Sequence, residues 1–336
     1  MNLSQDTDHP RPRVLALSGG IGGAKLALGL YSILEPWELA VLVNTGDDFE
    51  HFGLHISPDV DTLMYTLSGE NNTELGWGRA GETWAFLEQL KRLGGESWFQ
   101  LGDGDLAVHV RRTECLKGDV TLSAITADLF QRMGIEAHVW PMSDQPVGTM
   151  VYAADGRELP FQNYFVQERC EPAVSGFHFT GADTAKPNSS FMELLRDPSL
   201  DAVIVCPSNP YVSVDPILAL PGVRAALKAC PVPVIAVSPI VGGDAIKGPT
   251  AKMMKELNIA VDPLSVARHY ADFLDGFVLD DTDADHADSL EIPSLVTQTV
   301  MQTLDDRKGL ARDVLSFAGR IKADDPSNSA AAVGAR

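Results

Sequence analysis

An apolar run, Val14 to Leu17, breaks into Ser18, Gly19, Gly20, Gly22 and Gly23, and a helix-like stretch, Ala24 to Leu34, follows at once. This order reads as strand, glycine turn, helix, and it commits the start of the chain to an α/β unit. Such a turn aims backbone N–H groups and a helix N-terminus at one point, which favours a bound phosphate. A sharp surface turn with an exposed lysine is the plainer reading, but such a turn seldom needs four glycines in five positions. The loop is not a P-loop, because Ala24 separates the last glycine from Lys25, and Leu26 replaces the Ser/Thr that would hold magnesium. It is not a full dinucleotide fingerprint either: Gly20 and Gly22 supply the first two glycines, but Lys25 takes the third position. A cation in the first helical turn opposes the helix dipole unless an anion sits beside it.

Short runs rich in Val, Ile and Leu predict further strands at Leu39–Asn44, Glu136–Val139, Ala202–Cys206, Val234–Ser238 and Gly276–Asp280. Helices are predicted between and after them, at Asp215–Leu220, Val223–Ala229, Thr250–Leu257, Leu264–Leu274 and Lys308–Ile321. This alternation predicts an α/β fold: a Rossmann-like, doubly wound, mostly parallel sheet. The stretch from about 59 to 133 differs. It holds helix-like pieces at Asp61–Leu67, Thr83–Leu93 and Leu122–Met133 and no convincing strand, and reads as an inserted helical subdomain. The sheet domain then comprises residues 10–58 and 134–322. Ala154-Asp-Gly-Arg157 is a turn signal for a hairpin within Val147–Gln167. The Ser/Ala/Asp/Pro-rich tail, 323–336, reads as disordered.

With 336 residues the chain can bury a large core, and 46 acidic against 26 basic residues give a net charge of -20. That charge repels nucleic acid and anionic membranes, so neither is an expected partner; solubility alone also accounts for it. Anionic small ligands would need a local N–H-rich or basic pocket and a divalent cation. Cys115, Cys170, Cys206 and Cys230 form no C-x-x-C pair, which argues against a zinc site or a disulfide framework. No apolar leader or membrane-length apolar span is present in the sequence, so a cytoplasmic protein is expected.

In open parallel sheets, ligands bind beyond the carboxyl ends of the strands. The loops expected there are Asn44-Thr-Gly-Asp-Asp48, Ser57-Pro-Asp-Val-Asp-Thr62, Leu101-Gly-Asp-Gly-Asp105 with His109, Pro141-Met-Ser-Asp144, Pro207-Ser-Asn-Pro210, and Ser238-Pro-Ile-Val-Gly-Gly243 leading to Lys247. Asp47, Asp48, Asp59 and Asp61 are the sharpest group. Magnesium prefers carboxylate oxygens and water, and is commonly shared with substrate phosphates. Plainer roles exist: Asp48 could bond a ribose, and Ser57-Pro58 looks like an N-cap and N1 pair, with Asp59 stabilising the first helical turn. Asp105 and His109 share a face if helical, and read either as an acid/base pair or as a histidine oriented by a structural aspartate. Asn209, set between prolines, suits the reading of a base or sugar. The loop carrying Gly242, Gly243 and Gly248 is a second N–H-rich segment, which suggests a diphosphate rather than one phosphate.

Taken in order, these blocks, together with Phe161-Gln162, resemble the 2-phospho-L-lactate transferase family of coenzyme F-420 biosynthesis, over roughly His9 to Ile321. The resemblance implies a magnesium-dependent transfer. The hydroxyl of the deazaflavin Fo attacks the acid-bearing phosphate of a guanosine diphospho-linked three-carbon acid, and GMP leaves. Asp47 and Asp61 would hold Mg2+, and Asp48 or Asp59 would orient the incoming hydroxyl, with His109 a further catalytic candidate. Gly19, Gly20, Gly22 and Lys25 would cradle the diphosphate, and Ser208 and Asn209 would meet the guanosine. Met142 and Asp144, with the helical insert, would line the deazaflavin pocket, and Asn44, Thr45, Asp105 and Gly242 are further substrate-binding candidates. A homodimer is also implied. One departure matters: Gly104 and Val108 stand where many relatives carry a basic residue and a threonine. Arg111 or Arg112 could compensate, although two exposed arginines are the plain expectation.

Two rival classes remain at the level of sequence. One is a non-catalytic nucleotide-sugar-binding regulator resembling the gluconeogenesis-factor family; the residues Phe49-Glu-His-Phe52 replace the Gly/Ser-rich acidic block such proteins carry. The other is a nicotinamide oxidoreductase, disfavoured by Lys25.

Overall fold

The computed structural model describes residues 12–324, so the readings of the polar N-terminus before residue 12 and of the tail beyond 324 lie outside the described residues. The chain runs β1 (Val14–Ser18), α1 (Gly20–Tyr31), β2 (Leu39–Val43), a hairpin of β3 (Phe49–His51) and β4 (Leu54–Ile56), then α2 (Pro58–Ser68), α3 (Ala85–Arg92), α4 (Asp103–Lys117) and α5 (Leu122–Arg132). It continues through β5 (His138–Pro141), an antiparallel unit of β6 (Gly148–Ala153), β7 (Glu158–Pro160) and β8 (Val174–Thr180), α6 (Ser189–Leu194), β9 (Ala202–Val205), α7 (Asp215–Leu218), α8 (Val223–Lys228) and β10 (Val234–Val237). The short pair β11 (Ile240–Val241) and β12 (Asp244–Ala245), α9 (Thr250–Glu256), α10 (Pro263–His269), β13 (Gly276–Leu279), β14 (Ser294–Val296) and α11 (Leu304–Asp324) complete it.

Seven strands form one parallel sheet in the order β14-β13-β10-β9-β1-β2-β5. Strand order reverses at β1, which is the doubly wound Rossmann arrangement expected from the sequence. The strands are apolar throughout because both faces are covered. Leu15 and Leu17 enter one core with Val203, Val205 and Ala236, under α6 to α10. Val14 and Ala16 enter the other with Val41, Ile204 and Val278, under α1, α2, α5 and α11. Within 59–133, α2 and α5 therefore belong to the cover of the sheet, while α4 packs on β4, α5 and α3.

Several boundaries differ from the sequence reading. Helix α1 starts at Gly20, inside the glycine run, not at Ala24. The glycines let its first turn press on the loop after β9: a Cβ on Gly22 would fall closer than 3.0 Å to the Pro207 carbonyl oxygen. Helix α4 has Asp103 and Asp105 in its first turn but no side-chain cap at Gly102. Its first N–H groups are met from afar by Glu82, which accepts from Gly104 at 2.7 Å and Asp105 at 2.9 Å. Strand β5 begins two residues later than expected and ends on Pro141, which an edge strand tolerates. The half-buried edge strand β14 had no marked apolar run. Ala323 and Asp324, assigned to the tail, close α11. The β6–β7 hairpin forms about Ala154–Arg157 as read. No helix among the described residues is long and apolar enough to cross a membrane.

Candidate functional site

The carboxyl ends of β1, β2 and β9 meet at the switch point of the sheet, and a cavity of about 740 Å³ opens there. Its floor is the start of α1, residues Gly19, Gly20, Ile21 and Gly22. The N–H of Gly19 donates to Ser208 Oγ at 3.1 Å, and that of Gly20 to Asp59 Oδ1 at 2.8 Å. The following N–H groups of a first helical turn have no intrahelical partner, and no acidic side chain occupies the first turn of α1. This leaves an anion-favouring end at the cavity floor. Asp47, Asp59, Asp61, Asp105 and His109 line the same cavity. The acidic turns and the N-terminal glycines thus face one space.

The acids divide into two sets. Asp59 Oδ2 accepts from Asn44 at 2.9 Å, and burial, opposed by the bonds from Asn44 and Gly20, pushes its carboxyl up to about 6. Asp48 does not line the cavity. Its Oδ2 accepts from His55 Nε2 at 2.9 Å and from Ser57 Oγ at 2.7 Å, while burial raises its pKa. Ser57 does stand at the N-cap of α2, but its hydroxyl serves Asp48 rather than the helix. Asp47 is buried with Asp59 and Asp48 as its charged neighbours, and burial, followed by Asp59, holds its carboxyl well above the usual range. Its Oδ1 has no partner among the described residues.

The second set centres on Asp61, whose two oxygens are both bonded by Arg112. His109 Nδ1 lies 3.6 Å from Asp61, its Nε2 lies 3.2 Å from Asp105, and the Tyr65 hydroxyl donates to Asp105 at 2.6 Å. Ligand atoms of Asp61, Asp105 and His109 fall within 4.8 Å of one another. The guanidinium already supplies the positive charge there, so this trio lacks the unmet charge that draws a cation. Asp47 fits better, because its buried free oxygen has no cation beside it.

Lys25, Ser208 and Asn209 line the cavity. The Lys25 ammonium donates to the Met301 carbonyl at 2.9 Å, and burial, Arg307 and Lys247 lower its pKa. Other expected residues stand elsewhere. Asn44 and Thr45 are buried behind the wall: Asn44 bonds Asp59 and the N–H of Gly46, and the Thr45 carbonyl accepts from Asp48. Met142 is not a pocket wall; as an apolar residue at the end of β5 it packs in the core under α6 to α10. Asp144 is exposed and accepts from the Ser123 N–H at the start of α5. The Gly242 N–H is not free for a phosphate, because Asp283 accepts it with both oxygens, at 3.1 and 3.0 Å. Lys247 and Gly248 of that segment do reach the cavity. Arg111 is exposed beside Glu114, but Arg112, expected at the surface, is 1% exposed.

The sequence reading assigned the insert to a pocket wall and quoted Phe161, but it did not single out the apolar side chains of Leu75, Trp77, Trp98, Phe99 and Phe165. Leu75, Trp77, Trp98 and Phe99 line one side, and Phe161 and Phe165, stacked at 5.4 Å, line another. Aromatic residues scattered over loops carry no periodic signal. Arg112 did carry one: with Asp105 and His109 it completes an i, i+4, i+7 stripe on α4.

The family model described as 2-phospho-L-lactate transferase CofD matches residues 14–313. The phosphoenolpyruvate transferase of Kitasatospora aureofaciens is 37% identical over 319 residues, which cover 92% of this chain and 99% of that protein. The 2-phospho-L-lactate transferase of Methanocaldococcus jannaschii is 37% identical over 311 residues, with coverage of 92% and 99%. Among solved structures, a UPF0052-family protein from Bacillus halodurans aligns with a TM-score of 0.62 over 91% of this chain and 99% of its own. At 14% identity that is a likeness of fold alone.

Proposed function

The chain belongs to the 2-phospho-L-lactate transferase family, and from this premise we propose that it moves a phospho-three-carbon-acid group from a guanosine diphospho donor to the hydroxyl of deazaflavin Fo, releasing GMP. The enzyme is a transferase of coenzyme F-420 biosynthesis. One observation carries the finer reading: a helix N-terminus open to anions and a buried carboxylate oxygen lacking a counter-charge line one cavity. A nucleoside diphosphate with a divalent cation satisfies both. The regulator reading is not favoured, because the matching family and both named relatives are transferases.

Asp47 would hold magnesium; Asp61 lines the same cavity, but with both oxygens bonded by Arg112 it is the weaker candidate for the second carboxylate. The ion would neutralise charge between the carboxylates and the diphosphate. The chain's own part is positioning, which is most of what phosphoryl-type transfer needs. The first turn of α1 and Lys25 bind the donor phosphates, and Ser208 fixes the Gly19 amide. Asp59, at about 6 and on the cavity wall, is better placed than Asp48 to take the acceptor's hydroxyl proton. The aromatic walls suit a planar ring. A homodimer in the cytoplasm is part of this proposal.

The relatives divide between two acids by name, so the acid is read by experiment. The enzyme is incubated with Fo, Mg2+ and the lactate, enolpyruvate or glycerate form of the donor, and the product is weighed. A phosphodiester mass with one donor is the expected result. Stabilisation by NADP but not by GDP with Mg2+, and no product from any donor, would end the transferase reading.

A further inference from the structure

Arg112 is the one member of the α4 stripe that does not line the cavity; Asp105 and His109 do. It stands behind them, 1% exposed. Its guanidinium bonds both oxygens of Asp61, reaches the His55 carbonyl at 3.4 Å, and places Nη1 3.3 Å from His109 Nδ1. A guanidinium can only donate. His109 Nδ1 is therefore the acceptor, and a neutral ring carries its proton on Nε2. That nitrogen lies 3.2 Å from Asp105 Oδ2 without an aligned hydrogen bond among the described residues, while Asp105 Oδ1 accepts from Tyr65 at 2.6 Å.

We infer that Arg112 is a positioning residue of this site: it locks His109 in the Nε2–H tautomer against Asp105 and fixes the plane of the Asp61 carboxylate by a two-point contact. It acts through His109 and Asp61 rather than on substrate. The kinetic consequence rests on the transferase reading; the tautomer does not. A lysine keeps the charge but offers a single point, and cannot grip both Asp61 oxygens and the ring together. Small misplacements of cavity groups are costly in rate even where binding survives.

The test uses the full chain. Nitrogen-15 NMR of the histidine rings, recorded over a pH series with His109→Gln to identify the resonance, should find the neutral form of His109 protonated on Nε2 alone. Arg112→Met should release the second tautomer. Arg112→Lys should keep its circular dichroism and hold both KM values within about twofold, while kcat falls about 10²-fold. A wild-type ring protonated on Nδ1, or an Arg112→Lys enzyme with unchanged kcat, would overturn the inference. Should Arg112→Met not fold, the wild-type spectrum and Arg112→Lys decide. Should the wild type transfer nothing, the functional reading falls while the spectrum still judges the tautomer.

Discussion

Gly22→Ala should abolish most activity while leaving most stability, and the structure sets both magnitudes. The new Cβ would fall closer than 3.0 Å to the Pro207 carbonyl oxygen, a backbone atom that cannot rotate away. Relief requires the first turn of α1 and the loop carrying Ser208 and Asn209 to separate by roughly 1 Å. Overpacking of this kind costs about 1–3 kcal/mol, and alanine returns about 1 kcal/mol through helix propensity. The net loss is then about 0–2 kcal/mol, a few degrees of melting temperature at most. The same shift moves the anion-favouring N–H groups against the donor, for which a loss of about 10²-fold in kcat/KM is expected. Gly29→Ala is the matched control. It meets the Arg307 carbonyl oxygen of α11 with the same closeness, on the same helix, but Gly29 does not line the cavity. It should lower the melting temperature and spare turnover. Gly309→Ala meets nothing within 4 Å and should only stabilise. Melting curves and steady-state kinetics of the three variants decide. Equal activity losses in Gly22→Ala and Gly29→Ala, or a fully active Gly22→Ala, would refute the reasoning.

Three further outcomes are expected. Burial, followed by Asp59, raises the folded-state pKa of Asp47, and burial raises that of Asp59 to about 6, so ionising either carboxyl costs stability: the stability is fully present below the ordinary carboxylate range and is lost as pH rises through the raised values. Asp47→Asn should therefore melt above the wild type at pH ~8 without divalent ions and level with it near pH ~4, while losing transfer; a pH-independent gap contradicts this. Ser208→Ala strands the buried Gly19 N–H, which should cost about 1–3 kcal/mol and raise the donor KM but not the acceptor KM; an unchanged donor KM counts against the cradle. Finally, magnesium and GDP should each raise the other's affinity by the same factor in calorimetric titrations, and independent binding would contradict a shared site.

What the sequence made legible was local. Strand β1, the glycine run and the α/β alternation each follow from neighbours in the chain, and the parallel sheet follows from them. The site's convergence was legible only as motifs that open strands of one sheet must bring together. The misses share a cause: a partner distant in sequence. Glu82 starts α4 from 22 residues away, and Asp283 removes the Gly242 N–H from 41 residues away. Met142 lies beside a polar motif, but spacing does not reveal that the end of β5 turns it into the core. Arg112 was misjudged because its residue type is usually exposed, although its helical register with His109 placed it inward.

The same non-local contacts explain how three largely buried acids coexist, Asp47 and Asp48 in the turn after β2 and Asp59 in the first turn of α2. Unpaired, each would cost several kcal/mol or give up its charge. Asp48 is met by His55 and Ser57, and Asp59 by the Gly20 amide and Asn44. Two buried carboxylate oxygens stay unmet among the described residues: Asp48 Oδ1, away from the cavity, and Oδ1 of Asp47, a residue of the cavity wall. Beside it the first turn of α1 offers N–H groups to an anion. An anion alone would face the carboxylate, and a cation alone would leave the amides unfilled. Under the proposed function, a phosphate and a divalent cation together would answer this pair of unmet demands, and with Lys25 and Lys247 of the cavity would let a chain with a net charge of -20 hold an anionic donor.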